Sequence, residues 1–113
     1  MTQIISLPAL AAEQLAAARN SSAGRAAQTI PHTADARLRQ TVLALAGGHG
    51  LGEHDSPGEA ALQVLLGCVR LTAGPDEWEA EEGDHLVIPP LRHDLSALED
   101  AAILLTVVRD GSA

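Results

Sequence analysis

Aromatic residues are almost absent: Trp78 stands alone among 113 residues, with no Phe and no Tyr. A single-stranded nucleic acid therefore finds no stacking platform here. Cysteine is equally scarce. Cys68 has no second cysteine to pair with, which excludes an internal disulfide framework and any zinc site built on several thiolates. Positive charge is also short: 7 Lys and Arg face 15 Asp and Glu, for a formal net charge of −8. A phosphate backbone would be repelled overall, so nucleic acid is not an expected partner. No apolar run approaches the ~18 residues of a membrane span, so no membrane partner is expected either. What remains is aliphatic. Apolar residues make up 46% of the chain, mostly Ala and Leu, enough to build one folded domain with a core of methyl groups rather than rings.

Residues 6–19 read as one helix. Ser6 is placed to cap it, and Pro8 sits in the first turn, where a missing N–H does little harm. Leu7, Leu10, Ala11, Leu15 and Ala18 form a narrow apolar stripe at helical spacing, and Asn20-Ser21-Ser22-Ala23-Gly24 is the stop signal. A secretory signal is disfavoured because Met-Thr-Gln carries no basic side chain and Pro8 and Glu13 interrupt the apolar region. The expected location is therefore cytoplasmic. After Gly24 the period changes to short strand-length segments separated by Gly and Pro corners. They run over 26–30, 38–46, 61–66, 68–72, 78–80, 86–88, 93–98 and 101–109. No helix-length segment separates them, which points to an all-β sandwich or barrel rather than βαβ units. The expected organisation is a helical arm over 1–25 followed by a β domain over 26–113.

Two ordered segments carry chemistry. The first runs Gly48-His49-Gly50-Leu51-Gly52-Glu53-His54-Asp55-Ser56-Pro57-Gly58-Glu59 and closes at Val64-Leu65-Leu66-Gly67. The second is Gly83-Asp84-His85-Leu86-Val87-Ile88-Pro89-Pro90-Leu91-Arg92-His93. In their glycines, His54, Pro89 and His93, and in the short stretch between them, they resemble the two motifs of the small single-domain cupins. The resemblance covers roughly residues 38–108. It implies a jelly-roll barrel of two antiparallel sheets with a small-molecule or metal site in its mouth.

The departures bear on function. The family's metal site uses two His and a Glu from the first motif and a His from the second. Here Ser56 stands at the second His position and Ala60 at the Glu position, with Glu59 one residue early. A one-residue shift turns a strand side chain to the opposite face, unless a bulge at Pro57-Gly58 restores it. His54 and His93 are then the motif-matched imidazoles, with His49, Glu59, Ser56 and His85 as candidates to complete a site. The resemblance implies one divalent metal (Fe, Mn, Zn, Ni or Cu) as an optional cofactor, held by His54 and His93 with Glu59 or His49. Leu62, Val64, Leu86 and Ile88 are the expected apolar lining. Cys68 reads as a small core residue rather than a nucleophile, and Asp84 as a brace for its turn. The leading expectation is a small-ligand-binding cupin; the rival is a metal-dependent dioxygenase, or an isomerase with His93 as base. A third reading is a non-catalytic regulatory domain whose arm docks elsewhere. A homodimer is expected, because small cupins pair through a sheet and because Val42-Leu43-Ala44-Leu45 and Ile103-Leu104-Leu105 are apolar on both strand faces.

Overall fold

A computed structural model describes residues 3–56 and 58–109. Among the described residues one helix, α1 (Leu7–Arg19), precedes eight strands. These are β1 (Arg25–Thr29), β2 (Leu38–Leu45), β3 (Ala60–Leu66), β4 (Cys68–Ala73), β5 (Asp76–Glu81), β6 (His85–Val87), β7 (Asp94–Ala97) and β8 (Ala101–Val108). Each lies within one residue of its expected segment except β5, which begins two residues earlier than the segment expected over 78–80. Among the described residues no helix is long and apolar enough to cross a membrane.

The strands form a five-stranded antiparallel sheet in the order β1-β2-β8-β3-β6 and a three-stranded antiparallel sheet in the order β5-β4-β7. The inner faces enclose one core: Leu45, Leu62, Val64 and Ile103 from the larger sheet meet Val69, Leu71, Leu95 and Ala97 from the smaller one. The two sheets do not close into a barrel. The resemblance to the small cupins implies closure. Instead, residues 48–54 run along β7 without forming a regular strand, joined to it by isolated bridges at Gly50↔Ser96 and His54↔His93. The three glycines in that stretch disfavour a regular ladder.

The apolar second face of β2 and β8 is covered from within the chain. Val42, Ala44 and Ala102 pack against Leu10, Ala11, Leu15 and Ala18 of α1, with Leu65, Leu66 and Leu104 around them. Each fully buried Leu of this kind contributes about 2 kcal/mol of transfer free energy. A register shift between Val64 and Leu66 lets both Leu65 and Leu66 reach this second core. Ser6 caps α1 by accepting the Ala9 amide at 3.3 Å, and the Asn20 side chain donates to the Ala16 carbonyl at 3.1 Å. At the helix C-terminus Arg19 Nε donates to Asp100 at 2.7 Å, tying α1 to the β7–β8 turn. Gly67 holds the β3–β4 corner at φ +76°, and a Cβ there would collide with the Asp100 carbonyl. Any other residue would be both strained and obstructed.

Candidate functional site: two imidazoles at the mouth of the sandwich

His54 and His93 meet. They face each other across an antiparallel bridge in which each amide donates to the other's carbonyl at 2.9 Å. Directly opposite residues project to the same side of a ladder, so both rings turn inward. Their centroids lie 4.4 Å apart at 64°, edge to face. His93 is 3% exposed and is the buried polar side chain among the core residues; His54 is half-buried.

The second nitrogen of each ring decides what the pair can do. His54 Nδ1 lies 2.9 Å from the Gly52 carbonyl, and His93 Nδ1 lies 2.8 Å from the Leu91 carbonyl. A carbonyl oxygen only accepts, so both Nδ1 atoms carry a hydrogen and donate it. In the neutral ring, Nε2 is then a bare lone pair. Two backbone carbonyls, each two residues upstream of its histidine, thus set the same tautomer twice. The site offers two acceptors and no anion.

The cavity beside the rings is about 30 Å³ and is otherwise aliphatic, lined by Leu43, Leu51, Leu62, Leu71, Ile88, Leu95, Ile103 and Leu105. That is room for about two water-sized groups. Of the four expected lining residues, Leu62 and Ile88 border it. Val64 is buried deeper in the same core, and Leu86 packs against that core. The lining from β2, β4, β7 and β8 was missed in the sequence reading. Its signal was the alternation of Leu43, Leu71, Leu95, Ile103 and Leu105 on inner strand faces, which needs the strand pairing before it points anywhere.

The other candidates lie elsewhere. The His49 ring sits against Gly24, at the start of β1, where a Cβ would overlap it. Glu59 is exposed and borders a different hollow, an open apolar groove of about 630 Å³ with Gly58, Ala61, Val87, Thr106 and Val108. The bulge expected at Pro57-Gly58 falls partly on Pro57, outside the described residues. Ser56 Oγ exchanges hydrogen bonds with the Gly58 backbone. His85 is exposed on β6, paired with Gln63. Cys68 belongs to the half-buried outer side of β4 rather than the core; burial first, then Glu79, Glu99 and Glu81, push its thiol pKa up, which disfavours a thiolate nucleophile. Asp84 braces its turn by accepting the Glu81 amide at 2.9 Å.

This donor set does not fit a resident divalent metal. Such ions take three or four protein ligands of N, O or S type. Among the described residues no group of three or more His, Cys, Asp and Glu side chains is placed to hold a metal ion. A divalent charge would also sit among leucines with no carboxylate to offset it.

No family model and no curated protein matches the chain. Solved structures do. A conserved protein of unknown function from Streptococcus pyogenes is 31% identical, covering 80% of this chain and 78% of that one, with a TM-score of 0.68. A cupin superfamily protein from Desulfitobacterium hafniense is 16% identical over 76% of this chain and 78% of that one, also at 0.68. A salicylate 1,2-dioxygenase variant from Pseudoaminobacter salicylatoxidans, in complex with gentisate, superposes on 94% of this chain at a TM-score of 0.75 and 16% identity. This chain spans 33% of that enzyme.

Proposed function

We propose that this chain, whose fold is similar to that of a cupin superfamily protein, binds a small molecule through a hydrogen-bond donor presented to His54 and His93. The observation that supports this is the doubled tautomer: each Nδ1 is committed to a backbone carbonyl, which leaves Nε2 as the acceptor of each ring, and both rings border the cavity. A hydroxyl or amine is the chemical complement of two such acceptors. The aliphatic walls strengthen those hydrogen bonds by keeping water away. Among the described residues the metal-dependent dioxygenase reading lacks a third protein ligand, so binding in this proposal is not routed through a metal. Pairing of two copies stays part of this reading. Its support is the part of the five-stranded sheet that α1 leaves open, where Val87 is 68% exposed on the edge strand β6.

The test uses histidine side-chain nitrogen NMR signals on the whole protein. Fragments small enough for that cavity and bearing a hydroxyl or an amine, beginning with methanol, should shift both Nε2 signals and leave both Nδ1 signals near their starting positions. His54→Ala and His93→Ala should each weaken binding about tenfold, the scale of losing one buried hydrogen bond. Fragments that move neither ring would overturn the proposal. So would a divalent metal retained stoichiometrically only when both histidines are present.

A further inference from the structure

The cavity is small, and the segments that carry its two histidines are held at the mouth by little backbone pairing. The His54↔His93 bridge is isolated from every regular strand, and its two hydrogen bonds are the last of the seam between residues 48–54 and β7.

What closes that end is ionic, on the outer side of the same bridge. Side chains next to an inward-facing pair point outward, and here Glu53 and Asp55 flank His54 while Arg92 precedes His93. Arg92 Nε donates to Glu53 Oε1 at 2.7 Å and a terminal nitrogen donates to Asp55 Oδ1 at 3.2 Å. The other terminal nitrogen reaches the Glu53 carbonyl at 3.4 Å. One guanidinium therefore engages both residues adjoining His54. The planar fork allows this; a lysine ammonium is a point charge and holds no such geometry. Simple solubility does not require the arrangement. In a chain of net charge −8, one of seven basic residues is placed behind the histidine pair.

We propose that Arg92, with Glu53 and Asp55, is a latch that positions the His54–His93 pair and governs access to the cavity behind it. The proposal rests on the reading of that cavity as the binding site. Arg92 does not touch the ligand; it acts by keeping the two mouth segments together. Because the three side chains are largely exposed, salt screens them: the Debye length falls from about 10 Å at 0.1 M to 3 Å at 1 M. Opening should then be rare at low ionic strength and more frequent at high salt.

Carbethoxylation of imidazoles by diethyl pyrocarbonate, followed by peptide mass analysis, reads access without any ligand. His32, His49 and His85 are exposed and serve as internal standards in the same molecule. In the intact protein His93 should react far more slowly than these three. Arg92→Gln should raise the His93 rate about three- to tenfold relative to the standards, the scale of losing two exposed ion pairs. In the intact protein 1 M NaCl should do nearly the same, while Arg92→Gln should no longer respond to salt. Arg92→Lys should recover part of the protection. The double variant Glu53→Gln/Asp55→Asn, which keeps the arginine and removes its partners, should match Arg92→Gln and guards against an effect of one variant on folding. Protection of His93 that survives either change, or that is indifferent to salt in the intact protein, would overturn the latch. Fragment binding that fails while these rates behave as expected would count against the ligand reading alone.

Discussion

The two sheets solve the problem of their outer faces differently. The three-stranded sheet is one-sided. β4 and β7 alternate strictly between buried and half-buried positions, and the outer side carries Arg70 paired with Glu79 at 3.0 Å and facing Glu77 at 3.9 Å. Water covers it. The five-stranded sheet is two-sided over β2 and β8, where Val42, Ala44 and Ala102 are fully buried on the face away from the other sheet. There α1 takes the place of water. Strands apolar on both faces thus do not by themselves call for a second subunit. A short Ala-rich helix, marginal alone, covers them and is itself held by that contact.

The sharpest way to break this contrast is to remove the cover. Leu10→Asp with Leu15→Asp should cost at least about 5 kcal/mol, two buried leucines lost and two carboxylates placed against an apolar face. That is on the order of the whole stability of such a domain. Thermal melting measures it, and an unchanged midpoint would mean α1 contributes nothing to the second core.

A smaller effect is expected where the cover is tied down. Asp100 accepts the Gly47 amide at 2.8 Å and the Arg19 guanidinium. These contacts, the amide first, hold its carboxyl below the ordinary value of 3.8. A carboxylate with a depressed folded pKa adds stability that is fully present above its unfolded pKa and is lost as pH falls through the lower folded value. Asp100→Asn should therefore lower the melting midpoint near neutral pH, and the gap to the unaltered protein should shrink below pH 3.8. A gap independent of pH would assign the effect to shape rather than charge.

On the one-sided sheet the expectation is nearly nothing. Glu79→Gln removes an exposed partner of Arg70, and exposed pairs of this kind contribute little. A melting midpoint shifted as far as that of Asp100→Asn would show that the solvated face matters as much as the covered one.

Much of this architecture was legible in the sequence. The stripe Leu10, Ala11, Leu15 and Ala18 is the buried face of α1, and glycines and prolines marked most of the boundaries between the eight strand segments. The double-sided pattern at Val42–Leu45 was legible too, but its meaning was not. Period-two alternation reports that a face is apolar, not what covers it. The same limit applied to the site. Motif spacing singled out His54 and His93, with His49 and Glu59 as candidates to complete a site. His49 packs at Gly24 and Glu59 faces an outer groove, because both lie outside regular strands, where no periodicity sets side-chain direction.

The sequence by itself therefore determined the elements, the aliphatic core and the two imidazoles worth following. Those are local properties, written in propensity, turn residues and hydrophobic period. Tertiary structure alone decided that α1 covers β2 and β8 and that His54 and His93 close one bridge at 4.4 Å between rings. It also decided that both rings carry the same tautomer and that Arg92 stands behind them. These depend on which distant segments come to lie side by side, and on the carbonyls and charges each then meets. No spacing along the chain encodes that, since side-chain surroundings are set by neighbours in space.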